Sequence, residues 1–163
     1  MSSRRVFSSS VGTKLLIGAT GLLLFGYLLL HLAGNLAVFA GQDAFNRYAY
    51  FLESNPLLVP AEIALLLLFL VHIYKTVTNW TKNQGARPVR YQQKSWAGYT
   101  SRKSVGSTTM IWTGVLTLAF ILVHVAHIKY GAWYQIGEPP IRDLYRTEVE
   151  VFSSALWMTE AVG

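Results

Sequence analysis

Residues 15–42 read LLIGATGLLLFGYLLLHLAGNLAVFAGQ, and no charged side chain interrupts them. At 1.5 Å per residue a helix over 15–40 is about 39 Å long, enough to cross a hydrocarbon core of about 30 Å with some tilt. The stretch lies too far from the N-terminus for a signal-peptide core, and no small-residue cleavage pattern accompanies it. Two further apolar blocks follow at 57–80 and 108–128. Only 13% of the 163 residues are Asp, Glu, Lys or Arg, about half the usual share for a soluble domain. The predicted fold is an all-α transmembrane helical bundle forming a single membrane domain over residues 1–163. It has three complete spans and the start of a fourth from about residue 151, where an apolar segment is too short to cross.

The connections carry the charge. Residues 41–56 are polar and aromatic, and Ala44, Phe45, Tyr48 and Phe51–Leu52 fit a short helix lying at the membrane interface. Residues 129–150 turn acidic, with Glu138, Asp143, Glu148, Glu150 and the turn pair Pro139–Pro140. Between Glu62 and Glu138 there is no acid at all. Of the fourteen cations, ten fall at the N-terminus (Arg4, Arg5, Lys14) or around the second connection (Lys75, Lys82, Arg87, Arg90, Lys94, Arg102, Lys103). The positive-inside rule therefore puts the N-terminus and that connection in the cytoplasm, and residues 129–150 outside, in a multi-pass protein of the cell inner membrane. The net charge of +6 is thus read as topology and contact with anionic lipid, with a cytoplasmic protein partner as a further use, and not as nucleic-acid binding.

The chain has no cysteine. That removes disulfides, Cys-ligated iron–sulfur clusters, zinc ribbons and covalent c-type haem, and leaves redox chemistry to histidine or a bound organic cofactor. The four histidines, His31, His72, His124 and His127, all lie within or at the end of a predicted span. Ionisable side chains are costly there, so a function is the default reading, against structural histidines bonded to neighbouring helices. By helical rise His31 and His124 each sit about 24 Å from the inner end of their span, at similar height toward the outer leaflet. His72 sits about 22 Å from the outer start of its span, toward the inner leaflet. Two imidazoles at one depth, without a carboxylate cluster, suit the axial positions of a haem iron. Zinc calls for three or four ligands, and a proton relay for acids at the same depth.

Other candidates surround this pair. Gly34, three residues after His31, leaves space on nearly the same helical face. Gly18, Gly21, Gly26 and Gly34 together allow either close helix approach or room for a flat cofactor. His127, nearer the outer water, is expected to touch a propionate, a quinone or the interface. Lys75, about a turn beyond His72, pairs with a propionate or snorkels to the boundary. Glu62 and Glu53 are either proton carriers for quinone chemistry or solvated and capping carboxylates.

Several motifs resemble a known family. His31-Leu-Ala-Gly-Asn-Leu-Ala-Val-Phe-Ala-Gly41, followed by Ala44-Phe-Asn-Arg-Tyr-Ala-Tyr-Phe-Leu52, resembles the first-span motif of the cytochrome b membrane anchor of succinate dehydrogenase and fumarate reductase, of the single-chain di-haem type. Phe69-Leu-Val-His72-Ile-Tyr74, Ala86-Arg-Pro88 with Tyr91, Thr109-Met-Ile-Trp-Thr-Gly114 and Ile121-Leu-Val-His124-Val-Ala-His127 are similar to its later motifs. The resemblance implies two haems b. His31 and His124 are the axial ligands of the distal one, and His72 is one ligand of the proximal one. It also implies flavoprotein and iron–sulfur partner subunits, membrane quinone as electron acceptor, and a place in the respiratory chain and tricarboxylic acid cycle. No catalysis is expected of this chain alone.

The chain departs from the family in two ways. Ser107-Thr-Thr-Met110 stands where the family often has Ser-Arg-Thr-Met, and Arg102 or Lys103 is the candidate to take over that arginine's role. Five spans are implied, with a fourth-span histidine completing the proximal site. The chain is therefore expected to be truncated at its C-terminus or completed by another chain. The alternatives are a cytochrome b anchor of another respiratory enzyme, of the formate dehydrogenase or hydrogenase type, and a haem-free membrane scaffold or transporter.

Overall fold

The computed structural model describes residues 9–86 and 105–153, most of them helical. Helix α1 covers Ser10–Asn35 and runs into a 3-10 turn at Leu36–Ala40. It begins ahead of the apolar block because Ser9 caps it: Ser9 Oγ accepts a hydrogen bond from the Gly12 N–H at 3.0 Å, satisfying one of the donors a helix start leaves open. Gly41, with φ at +94°, then turns the chain through a conformation that side chains disfavour. Helix α2 follows at Gln42–Glu53, and α3 at Leu58–Gly85. The Ala86 N–H still bonds to the Lys82 carbonyl at 3.0 Å. The helix stops ahead of Pro88, whose ring disfavours helical backbone in the residue before it. Helix α4 is Val105–Ile128. Strands β1 (Gln135–Ile136) and β2 (Ile141–Arg142) form a small antiparallel ladder pairing Gln135 with Arg142 and Ile136 with Ile141. The turn between them contains Gly137 at φ +81° and a cis Glu138–Pro139 peptide. Helix α5 is Leu144–Ser153.

Three helical stretches are long and apolar enough to cross a membrane: Ser10–Ala40, Leu58–Gly85 and Thr109–Ile128. Their large side chains face outward, with Leu30 75%, Leu116 72% and Leu22 70% exposed. A surface of that composition is solvated by hydrocarbon far better than by water. The spans expected at 15–40, 57–80 and 108–128 match these helices, and the short helix expected within 41–56 is α2. The region before residue 151 differs from expectation. The sequence predicts an acidic connection with a turn there, and the structure shows the ladder and most of α5. Residues 154–163, which hold most of the expected fourth-span start, lie outside the described residues. So do Arg4, Arg5 and most of the basic second connection, including Arg102 and Lys103.

The contacts divide into two compact units. The first contains α1, the 3-10 turn, α2 from Tyr48 onward and α3, with α1 packed along α3. The second contains α2 up to Arg47, α4, the ladder and α5. Its centre is polar. Asp143 is 4% exposed, and its two carboxylate oxygens accept from Gln42 Nε2 at 2.7 Å and Asn46 Nδ2 at 2.8 Å. Asp143 Oδ1 also accepts from the Arg146 N–H at 3.2 Å, and Asn46 Oδ1 accepts from the Tyr145 N–H at 2.9 Å. These bonds satisfy the first-turn donors of α5, which explains why that helix starts at Leu144. Phe45, 2% exposed, meets the Tyr145 ring edge-on at 6.4 Å beside this cluster. On the exposed side of α5, Glu150 accepts from Arg146 Nε and from the Tyr134 hydroxyl, both at 2.7 Å. The Arg146 bond first, and the Tyr134 bond second, hold the Glu150 carboxyl below its ordinary range.

Candidate functional site

His72 lies midway along α3 and faces α1 within the first unit. Its Nδ1 is 2.9 Å from Thr20 Oγ1. Thr20, 4% exposed, also lies 2.7 Å from the Leu16 carbonyl and 3.1 Å from the Ile17 carbonyl. A hydroxyl has one proton, and carbonyl oxygens only accept. With the Thr20 proton assigned to the Leu16 carbonyl, the shortest of its three contacts, Thr20 Oγ1 receives the Nδ1–H of His72. That tautomer places the lone pair of the neutral ring on Nε2, the nitrogen left to bind a metal. Gly21 completes the cradle: a Cβ there would stand 3.1 Å from His72 Cε1, closer than ordinary packing allows. One turn further along α3, Thr76 Oγ1 is buried with no hydrogen-bond partner among the described residues. An imidazole held at Nδ1 beside an unused hydroxyl fits a nitrogen-ligated cofactor such as haem.

The remaining histidines share a second pattern. His31 stacks on Tyr27 one turn earlier, with ring centres 5.6 Å apart and planes 18° apart. His124 stacks on Phe120 one turn earlier, at 5.5 Å and 20°. The same i, i−4 pairing on two helices fixes both imidazoles against the helix that carries them. His31 belongs to the first unit and His124 to the second, so their pairing rests on their depth in the sequence. His127 donates its Nδ1–H to the Val123 carbonyl at 2.8 Å, which places the neutral ring's lone pair on Nε2 by the same reasoning. His124 and His127 line one small, open hollow of about 70 Å³ with Phe120, Val123, Ile128, Val151 and Phe152. Within the second unit it is an apolar recess with two imidazoles in its wall.

Gly34 lies against Tyr48: the Tyr48 hydroxyl occupies the place a Gly34 Cβ would take. The space left on that face of α1 is thus filled by α2. Lys75 is half-buried, with Nζ 6.0 Å from the centre of its neighbour's ring, Tyr74. Glu62 is half-buried on α3, and Glu53 is exposed at the end of α2. Among the described residues no group of three or more His, Asp or Glu side chains converges to hold a metal ion.

Sequence reasoning missed three of the residues that matter here. Thr20 was visible as a polar residue inside an uncharged stretch. Asn46 and Asp143, which organise the second unit, carry no signal that separates them from other polar residues in connections. Comparison of the chain with family models, with characterised proteins and with solved structures gives no match.

Proposed function

We propose that the chain is a haem b-binding membrane anchor of a succinate dehydrogenase or fumarate reductase, passing electrons between an iron–sulfur subunit and membrane quinone. The observation that carries this reading is the placement of all four histidines on the three apolar helices. The first-span motif from His31 to Leu52 supports it. In this account His31 and His124 hold one haem axially, and His72 supplies a ligand to a second. In the same account His127 and Lys75 are the candidates to meet a propionate or a quinone oxygen. When bound, haem b supplies one-electron transfer at its iron. The chain's own part is to present neutral Nε2 nitrogens, to orient the rings through Thr20, Tyr27 and Phe120, and to keep water from the apolar helix faces. The protein belongs, in this reading, to the inner membrane with its N-terminus in the cytoplasm, beside a flavoprotein and an iron–sulfur protein.

The test is a reduced-minus-oxidised spectrum of the full-length protein purified from its own membrane. The expected result is a b-type spectrum with two haems per chain, reduced by succinate through co-purifying flavoprotein and iron–sulfur subunits. A preparation without Soret absorbance overturns the proposal, and one haem per chain overturns its di-haem part.

A further inference from the structure

We propose that Thr20 is a positioning residue for His72, and that its hydroxyl sets both the ring orientation and the electron-donating strength of the His72 Nε2. The inference rests on the haem reading above and goes one step beyond it, to a residue on a different helix from the ligand. Three observations carry it. The Thr20 proton is already committed to the Leu16 carbonyl at 2.7 Å, so Thr20 acts toward His72 as an acceptor. Thr20 is 4% exposed, so no bulk water stands ready to replace it. And among the described residues the bond to Thr20 is the only hydrogen bond the His72 ring makes.

The physical consequence follows from the ring. An imidazole on α3 can rotate about its side-chain bonds. One hydrogen bond at Nδ1, together with the Cε1 edge seated over Gly21, removes that freedom. Donation from Nδ1–H also pushes electron density toward Nε2, and a more basic nitrogen favours ferric over ferrous iron. Thr20 therefore lowers the potential of whichever haem His72 holds. Without the hydroxyl, the N–H is left unpaired in an apolar setting, and the ring turns to find another acceptor or loses basicity.

The experiment uses Thr20→Val, which keeps the shape and removes the hydroxyl, and Thr20→Ser, which restores it. Both are made in the full-length protein in its native membrane and read by redox titration and by the electron paramagnetic resonance signals of the haems. Outer-shell partners of metal-ligating histidines are worth about 10- to 100-fold in metal affinity or activity, and here that loss falls on the ferric form, which the more basic nitrogen favours. At the lower end, Thr20→Val is expected to move the ferric-to-ferrous ratio of one haem about tenfold, a rise of about 59 mV for a one-electron couple. Thr20→Ser is expected to return it, with the other haem unmoved throughout. Loss of one haem in Thr20→Val with retention in Thr20→Ser also supports the assignment. Unmoved potentials and resonance signals in Thr20→Val, with haem retained, overturn the assignment alone. Equal loss of haem in both variants overturns it as well. Absence of haem from the unaltered protein overturns the haem reading and this inference together.

Discussion

The two units handle buried polar groups in opposite ways. In the second unit both oxygens of Asp143 are used, each taken by a carboxamide, and the Asn46 oxygen returns a bond to the backbone of α5. The cluster closes on itself and serves the fold. In the first unit His72 is held at one nitrogen by Thr20, and the arrangement leaves it a lone pair on the other. A polar group with every bond satisfied inside the chain serves the fold, whereas a metal-ligating histidine is held at one ring nitrogen so that the other can bind. This difference is why the proposed function gives the ligand role to His72 and a structural role to Asp143.

The comparison can be broken first at Asp143. Asp143→Ala removes the acceptor of two carboxamide donors and the cap of α5. It is expected to cost about 3 kcal/mol, read as a lowered Tm in detergent, while the potential of the haem proposed at His72 stays where it was. A stable Asp143→Ala protein with a shifted potential reverses the roles given to the two units.

A smaller effect is expected at Glu148, the exception within the second unit. It is 9% exposed, and among the described residues no hydrogen bond reaches its carboxylate. Burial raises its pKa above the ordinary 4.5. Because the folded-state value is raised, its contribution to stability is fully present below about 4.5 and is lost as pH climbs through the raised value. At neutral pH the ionised carboxylate therefore opposes folding. Glu148→Gln is expected to stabilise the protein at pH 7, with the gain vanishing in acid. Thermal unfolding measured between pH 4 and 7 checks the sign, and a loss of stability at pH 7 shows that the carboxylate has a partner in the folded protein.

What was legible in the sequence follows the solvent. The three long helices could be read because a chain that faces hydrocarbon must be continuously apolar and must satisfy its backbone internally. The histidines stood out for the same reason: a polar side chain in such a run is conspicuous. Tertiary contacts were not legible. Nothing in the pattern of residues 129–150 announces that Asp143 will meet Gln42 and Asn46, a hundred residues earlier, and so the early start of α5 was missed. The glycines were ambiguous for a related reason. Gly34 and Gly21 both read as room on α1, yet one is filled by Tyr48 and the other by the His72 ring.

The central claim is that the bond left over at His72 belongs to a haem iron. Its most direct test is the haem-to-protein ratio of the full-length protein carrying His72→Ala, measured against the unaltered protein prepared in the same way. The account predicts a loss of one haem per chain, with the haem assigned to His31 and His124 retained. An unchanged ratio contradicts it.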